Sequence, residues 1–292
     1  MSASQILLLG GSGQVGWELR RTLAPLGRLI VAGRAAGVDL ADPDGLRRLL
    51  DDVRPGVIVN AAAYTAVDRA EAEEDLAQRV NGLAPGVIGE WAASRHATVL
   101  HYSTDYVFDG DKATPYRESD APNPLNAYGR TKLAGEDALL ASGAAALILR
   151  VSWVYGRRGG NFLRTMQRLM AERDRLRIVD DQVGAPTWSR MIAEASLAVL
   201  AALGGRSGAA RECRGVYHLA PSGSTSWYGF AQRIRASGGY ACELEPITTA
   251  EYPTPARRPR NSRLDAGKLR DTFGLQLPSW DEAFALCMEP AD

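Results

Sequence analysis

Residues 6–16, ILLLGGSGQVG, decide the fold. Their four leading apolar residues predict a buried strand, and the glycines that follow predict a sharp turn into a helix. Gly10, Gly13 and Gly16 have the spacing G-x-x-G-x-x-G. Glycines let backbone N–H groups approach a pyrophosphate closely, and the start of the helix adds a favourable dipole. In this strand–turn–helix context, the stretch predicts a dinucleotide-binding site.

The first half of the chain alternates short apolar runs with amphipathic stretches. Such alternation, with strands that are apolar throughout, predicts a parallel sheet covered on both faces. The fold class is therefore α/β, with a Rossmann-type doubly wound parallel sheet. The predicted strands are 6–9, 29–32, 57–59, 99–102 and 145–151, and the predicted helices are 14–23, 42–53, 76–95 and 128–141.

The second half is less regular, and helices are predicted at 162–172, 191–203, 228–236 and 281–287. We expect residues 1–155 to form the dinucleotide-binding Rossmann domain. Residues 156–292 are expected to form mainly a smaller, mostly helical α/β substrate-binding domain, with some segments returning to the Rossmann sheet. Because no linker separates the two parts, a site between them is expected.

Composition excludes several classes of protein. The 292 residues hold 34 basic and 34 acidic side chains, so no basic surface is predicted for nucleic acid. The three Cys and three His form no CxxC or HExxH motif, so neither a disulfide framework nor a metal site is predicted. No signal peptide and no membrane-length apolar run is recognised. A cytoplasmic protein without membrane or nucleic-acid partners is expected.

The end of the second predicted strand bears on the choice of cofactor. An acid there usually binds the ribose hydroxyl of NADH, whereas an arginine accommodates the phosphate of NADPH. Arg34 stands at this position and favours NADPH. The alternative is that Arg34 is a solvated loop charge, which leaves NADH possible. Asp39 and Leu40 are expected to line the adenine pocket.

Tyr128 and Lys132 have the spacing that places both on one face of a helix. An ammonium beside a phenol lowers the pKa of the phenol and prepares it to exchange a proton. The segment 103–105 (Ser-Thr-Asp) ends a predicted strand, where α/β enzymes place their sites. A hydroxyl there can hydrogen-bond a substrate carbonyl.

The sequence has two strongly charged segments. Residues 257–270 hold six basic side chains, and arginines such as Arg258 suit a diphosphate. The alternative for this segment is a solvated basic loop. The acidic run at residues 71–75 is interpreted as a solvated helix face.

The motifs together resemble the dTDP-4-dehydrorhamnose reductase family of the extended short-chain dehydrogenase/reductase superfamily. The glycine and Tyr-x-x-x-Lys motifs are common to the superfamily, whereas the strings at 103–110 and 181–187 are much more specific. The matching strings cover nearly the whole chain: 60–68 (NAAAYTAVD), 103–110 (STDYVFDG), 126–129 (NAYG) with Lys132, 150–156 (RVSWVYG), 181–187 (DQVGAPT) and 258–265 (RPRNSRLD).

The resemblance implies roles for individual residues. Thr104 and Tyr128 would bind the C4 carbonyl oxygen of a dTDP-sugar, and Tyr128 would protonate it while NADPH delivers hydride to C4. Lys132 would hold the nicotinamide ribose. The implied cofactor contacts are Gly10, Gly13, Gln14, Val15, Gly16, Ala62, Ala63 and Tyr64, and the implied sugar contacts are Asp105, Tyr106 and Trp153. For Trp153 a core aromatic is an equal alternative.

The family reduces dTDP-4-dehydro-L-rhamnose to dTDP-L-rhamnose, the last step of dTDP-rhamnose synthesis. A 4,6-dehydratase would need Glu after Asp105, where this chain has Tyr106. Three alternatives stay open: a C4 epimerase with tightly bound NAD, a reductase forming 6-deoxy-talose, and a non-catalytic regulatory subunit resembling that of methionine adenosyltransferase. The sequence leaves monomer or homodimer open, as well as any need for Mg²⁺.

Overall fold

The computed structural model describes residues 5–204 and 207–289. Its strands are β1 Gln5–Leu9, β2 Arg28–Ala32, β3 Val57–Asn60, β4 Thr98–Thr104, β5 Ala145–Val151, β6 Val154–Tyr155, β7 Arg175–Val179, β8 Val183–Gly184, β9 Thr187–Trp188, β10 Gly215–His218, β11 Thr225–Ser226 and β12 Glu243–Ile247. Its α-helices are α1 Gln14–Thr22, α2 Pro43–Val53, α3 Val67–Ala70, α4 Glu74–Ala77, α5 Ala84–Arg95, α6 Ala127–Ala141, α7 Phe162–Glu172, α8 Ser189–Leu203, α9 Ser207–Glu212, α10 Trp227–Gly238, α11 Gly267–Phe273 and α12 Trp280–Met288.

The central sheet has six parallel strands in the order β10-β5-β4-β3-β1-β2. The five strands predicted from apolar runs are all present, and the Rossmann-type α/β fold is confirmed. Side chains of β1, β3, β4 and β5 are buried on both faces of the sheet, as the unbroken apolar runs require. Helices α1 and α8 cover one face, and α2, α5 and α6 cover the other.

The strand order creates the crevice in which the predicted site residues gather. Strand β2 follows β1 and lies beside it at one edge of the sheet. The chain then returns, and β3 pairs with β1 on its opposite side. Ligands of open α/β sheets bind at such a reversal, beyond the carboxyl ends of the strands. These ends bring Leu9, Asn60, Thr104 and Val151 to one edge of the sheet.

The helix predicted at 76–95 is interrupted. It starts as α4, widens into a π-helical segment at Gln78–Leu83, and continues as α5. Pro85 lies in the first turn of α5 and has no N–H to donate to the regular ladder. Widened turns of this kind are frequent at functional sites, and this one places Asn81 against α6.

The sequence missed several strands of the second half. Strand β10 joins the main sheet beside β5, and β7 pairs with β12. In β7 the arginines Arg175 and Arg177 alternate with buried residues and face acids of β12. Short strands with charged outer faces lack the apolar runs on which the prediction relied. The division into domains at residue 155 stays a prediction.

A buried ion pair joins β5 to α6 beneath the edge where the site residues gather. Arg150 Nη2 lies 2.6 Å from Glu136 Oε2, and Arg150 Nε donates to Glu136 Oε1 at 2.9 Å. The two side chains are 4% and 1% exposed. Removing one partner of such a pair leaves the other charge buried and uncompensated.

We therefore expect Glu136→Gln to lower the free energy of unfolding by about 3 kcal/mol. Urea denaturation followed by tryptophan fluorescence measures this loss. The matched control is Glu172→Gln, which breaks the exposed pair between Arg168 and Glu172. Exposed pairs contribute only about 0.5 kcal/mol, so equal losses in the two variants would contradict the prediction.

Candidate active site

The glycine turn after β1 is shaped for close backbone approach. Gly10 has φ +79°, and a Cβ there would lie 2.6 Å from the backbone nitrogen of Ala62. A Cβ on Gly16 would lie 2.1 Å from Gly10 O. Gly13 is exposed, and its backbone starts α1 without a side-chain cap among the described residues. The residues therefore fit a dinucleotide, whose pyrophosphate needs free N–H groups at a helix start.

Gln14 ties this turn to the second half of the chain. Asn161 Nδ2 donates to Gln14 Oε1 at 2.8 Å, while Asn161 Oδ1 accepts from the backbone of Arg164 and caps α7. Val15 is half-buried at the start of α1 and packs on the core. The predicted pyrophosphate contact Gln14 thus lies between the two predicted domains.

The structure distributes the other predicted cofactor residues around the same edge. Arg34 is exposed just after β2. Asp39 Oδ1 accepts from the backbone of Ala41 at 2.9 Å, and Leu40 is buried in the core. The contacts of these three residues with a cofactor stay predictions.

The segment after β3 is half-buried and held by two asparagines. Asn60 Oδ1 accepts from Ala62 N at 3.2 Å, and Asn81 Oδ1 accepts from Tyr64 N at 2.8 Å. The Tyr64 hydroxyl donates to Glu73. These bonds fix the strip from Ala62 through Ala63 to Tyr64 beside the glycine turn, where the resemblance implies the cofactor.

Thr104 and Tyr128 meet at the carboxyl end of β4. Thr104 Oγ1 donates to Asp105 Oδ1 at 2.9 Å, and it lies near enough to the Tyr128 hydroxyl to lower the pKa of that phenol. The ring of Tyr106 packs edge-on against that of Tyr128, with centroids 5.9 Å apart. A hydroxyl pair at a strand end, flanked by a carboxyl group, can hold and protonate a carbonyl oxygen.

The electrostatics of Tyr128 differ from the sequence expectation. Burial raises the pKa of Tyr128 to about 12, although the hydrogen bond with Thr104 acts in the opposite direction. Lys132 is on the same helix face, yet its Nζ donates to Tyr102 O at 2.7 Å and contacts His101 Nε2 at 3.2 Å. Burial lowers the pKa of Lys132 to about 8, against the effect of Glu136. The expected lowering of the phenol pKa by Lys132 is therefore wrong for this geometry.

Asp105 is the most perturbed carboxyl group of the site. It is 3% exposed, and its Oδ2 has no hydrogen-bond partner among the described residues. Burial raises the pKa of Asp105 to about 7, although nearby Ser262 and the hydrogen bond from Thr104 act in the opposite direction. Near neutral pH this carboxyl group exists in both forms, so it can donate as well as accept a hydrogen bond.

Arg258 is already engaged within the protein. Its Nη2 donates to Asp68 Oδ2 at 2.8 Å, and its Nη1 donates to Thr254 and to Ala256 O. Burial opposes protonation, but hydrogen bonds to Asp68 and Tyr106 raise the pKa of Arg258. The guanidinium therefore stays charged beside the site.

Three of the other basic residues of 257–270 are bound within the protein. Arg263 donates to Asn261 Oδ1, Lys268 to Val216 O, and Arg270 to Asp271. Arg263 and Lys268 therefore brace loops, and binding of a diphosphate by this segment stays a prediction.

Trp153 forms a rigid wall. It has φ +45° and is 9% exposed, and its ring stacks on Trp227 at 3.6 Å between centroids. A Cβ on Gly184 would lie 2.4 Å from the Trp153 ring. The packing agrees with the core-aromatic alternative, and contact with a sugar stays a prediction.

The sequence analysis missed the residues that hold α6. Glu71 Oε1 accepts from Ala127 N at 2.7 Å, and Asn126 Oδ1 accepts from Gly129 N at 2.8 Å. Glu74 pairs with Arg130 at 3.0 Å. The acidic run at residues 71–75 is therefore more than a solvated helix face, because Glu71 and Glu74 bind α6, the helix that carries Tyr128. The pattern Asn-x-x-Gly before an amphipathic stretch was the available signal for the Asn126 cap.

Residues 5–204 and 207–289 hold neither a candidate metal site nor a candidate membrane span. No group of three or more His, Cys, Asp or Glu side chains there could hold a metal ion. No helix in these ranges is long and apolar enough to cross a membrane.

Comparison with known proteins identifies the family. The model described as the RmlD substrate binding domain matches residues 4–292. The chain belongs to this family. A dTDP-4-dehydrorhamnose reductase of Burkholderia thailandensis is 47% identical, with 97% of this chain and 98% of the relative covered.

Solved structures agree with the RmlD assignment. A dTDP-4-dehydrorhamnose reductase of Clostridium acetobutylicum has a TM-score of 0.89 at 34% identity, covering 97% of this chain and 98% of that chain. The enzyme of the same name from Bacillus anthracis, in complex with NADP, has a TM-score of 0.89 at 32% identity, covering 98% and 99%. The family resemblance stated from the sequence motifs is confirmed.

The raised pKa of Asp105 predicts how the free energy of unfolding of this RmlD-family protein depends on pH. The folded state favours the neutral carboxyl, so the free energy of unfolding falls as pH rises from about 4, the usual pKa of Asp, to about 7. Asp105→Asn is uncharged throughout. We expect its stability relative to wild type to increase across this window, measured by urea denaturation at several pH values.

Asp109→Asn is the matched control. The hydrogen bond from Tyr116 lowers the pKa of Asp109, so the wild type gains stability over this variant as pH rises towards about 4. If the stability difference between Asp105→Asn and the wild type did not change between about pH 4 and 7, the raised pKa of Asp105 would be refuted.

Proposed function

We propose that the protein reduces the C4 ketone of dTDP-4-dehydro-β-L-rhamnose to dTDP-L-rhamnose, the last step in making this sugar donor. The observation that carries the proposal is the position of the Thr104 hydroxyl beside the Tyr128 phenol at the end of β4. The glycine turn after β1 lies at the same edge of the sheet. Relatives named for this activity match over nearly the whole chain.

The chemistry needs a hydride donor, an acid and a fixed carbonyl. A bound nicotinamide would supply the hydride. Thr104 and Tyr128 would hold the carbonyl oxygen, and Tyr128 would give its phenolic proton to that oxygen. With a pKa of about 12, Tyr128 is protonated at neutral pH, which suits an acid in the reducing direction.

Four residues are proposed to bind the sugar nucleotide. Asp105 would hydrogen-bond a sugar hydroxyl through its unpartnered oxygen, and the rings of Tyr106 and Trp153 would bound the pocket. Arg258 would bind the diphosphate, since it stays charged while sharing its guanidinium with Asp68.

NADPH is the proposed cofactor, with NADH as the alternative. Arg34 is the exposed cation at the end of β2, where the adenosine phosphate of NADPH would lie. The relative from Bacillus anthracis is described in complex with NADP. Cytoplasmic location and a monomer or homodimer stay predictions from the sequence, which leaves any need for Mg²⁺ open.

Tyr128→Phe tests the reaction. Phe cannot donate a proton, so kcat for the 4-keto sugar nucleotide is expected to fall by about 10²–10⁴-fold. The assay follows NADPH oxidation, and NMR of the product distinguishes rhamnose from 6-deoxy-talose. The matched control is Tyr252→Phe, whose ring is exposed. Undiminished turnover by Tyr128→Phe would contradict the mechanism. A 6-deoxy-talose product would show that hydride reaches the other face of the sugar.

Arg34→Ala tests the choice of cofactor. Losing a charge-assisted bond to phosphate, which contributes about 1.5–3 kcal/mol, is expected to raise the KM for NADPH by about 10–100-fold. The KM for NADH should not change. Arg28→Ala at the opposite end of β2 is the control. Equal effects on both cofactors would contradict a role in phosphate recognition.

A further inference from the structure

Arg20 of α1 reaches back over the glycine turn. It follows Gly16 by four residues, so both lie on one face of α1, and a Cβ on Gly16 would lie 2.9 Å from Gly11 Cα. Side chains of a helix lean towards its N-terminus, which directs Arg20 to the turn. A Cβ on Gly11 would lie 3.5 Å from Arg20 Cδ and 3.7 Å from Arg20 Cγ. The aliphatic stem of Arg20 therefore covers Gly11.

The end of β2 meets the same point of the turn. A Cβ on Gly11 would lie 2.4 Å from Val31 Cγ1, so position 11 has no room for a side chain of its own. Val31 is 39% exposed, and Arg34 follows it just beyond the end of the strand. Arg20 and Arg34 therefore belong to one exposed surface, which Gly11 and the end of β2 form between the two segments.

Neither of these two arginines is engaged within the protein. Both are exposed, and within residues 5–204 and 207–289 neither guanidinium makes a hydrogen bond or an ion pair. The neighbouring Arg21 differs, because it donates to Trp17 O and its guanidinium lies 3.3 Å from the centroid of the Trp17 ring. Arg20 and Arg34 are thus available to an anionic ligand, whereas Arg21 is held against its own helix.

The end of β2 also lacks the acid that would select NADH. A carboxylate at this position accepts a hydrogen bond from the adenosine ribose of NADH, whereas this chain has Gly33 and Arg34. The first carboxylate after the strand is Asp39, and its Oδ1 already accepts from the backbone of Ala41 at 2.9 Å. The charge that this surface presents to a cofactor is therefore positive.

We propose that Arg20 is a specificity-determining residue, which binds the phosphate on the adenosine ribose of NADPH together with Arg34. The pyrophosphate of a dinucleotide lies at the glycine turn and its adenosine ribose at the end of β2. The stem of Arg20 lies between these two places, over Gly11. A phosphate monoester carries a charge of about −1.5 to −2 at neutral pH, which a single arginine compensates only in part. A second guanidinium adds both charge and donors for the phosphate oxygens.

The inference rests on the proposed function for the choice of NADPH, but it concerns binding and not the transfer of hydride. NADH lacks the ribose phosphate, so Arg20 should strengthen the binding of NADPH alone. A contact of Arg20 with the pyrophosphate would strengthen the binding of both cofactors, because both carry that group. The ratio of the two dissociation constants therefore distinguishes the two roles.

Calorimetric titration with NADPH and with NADH, in the absence of sugar, tests the assignment. We expect Arg20→Ala to raise the Kd of NADPH by about tenfold, as the loss of one charge-assisted hydrogen bond requires, and to leave the Kd of NADH unchanged. Adenosine 2′,5′-bisphosphate and 5′-AMP, which lack the nicotinamide half, should show the same difference. An unchanged Kd for NADPH, or an equal loss for both cofactors, would overturn the proposal.

Two further variants separate the charge of Arg20 from its packing. Arg20→Gln keeps part of the stem over Gly11 but has no charge, so it should lose as much affinity for NADPH as Arg20→Ala. The matched control is Arg21→Ala on the same helix, whose guanidinium lies on Trp17 and should leave both dissociation constants unchanged. Full affinity for NADPH in Arg20→Gln would show that the stem and not the charge matters, and would overturn the proposal.

The double variant Arg20→Ala/Arg34→Ala tests whether both arginines bind one phosphate. We expect it to bind NADPH no more tightly than NADH, and a preference equal to that of Arg34→Ala alone would contradict the role of Arg20. The titrations need no turnover. A protein that binds NADPH through Arg20 but does not reduce the sugar would therefore refute the proposed reaction alone. A reductase that binds both cofactors equally well would overturn this inference alone.

Discussion

The close approach of α6 to the polypeptide on both sides of it is the constraint on which the site depends. A Cβ on Gly129 would lie 2.2 Å from Tyr106 O, and a Cβ on Gly135 would lie 2.0 Å from Asn81 O. Only glycine permits such contacts without moving the backbone. The helix can therefore carry Tyr128 to the end of β4 and Lys132 onto the strand beneath, with the caps from Glu71 and Asn126 fixing where it begins.

Beneath this helix the core is polar where cores are usually apolar. Ser103, Arg150 and His218 are neighbours in register on β4, β5 and β10, so they point to one face of the sheet. Each has a buried polar atom without a partner among the described residues. Buried charges stabilise little in net terms but lose much when one partner is removed. The buried polar side chains beneath the site therefore hold its geometry while contributing little to the net free energy of unfolding.

The sequence was sufficient for the fold because parallel strands buried on both faces leave unbroken apolar runs. Periodicity placed Thr104 at a strand end and Tyr128 on a helix face with Lys132, whereas the pairing of Thr104 with Tyr128 came from the family resemblance. It could not show that Lys132 contacts His101, or that Arg258 pairs with Asp68, since both contacts join distant segments. Nor could it locate β10, a strand of four residues in a region without regular patterning.

Strand β10 also has a consequence for how the chain is made. It is the neighbour of β5 at that edge of the sheet, yet it follows β5 only after the helices α7 and α8. During synthesis, the first half leaves the ribosome with the backbone edge of β5 unpaired. An open edge of a parallel sheet is a template for pairing with another chain. Until residue 218 has emerged, this edge of the nascent sheet stays open to pairing with another chain.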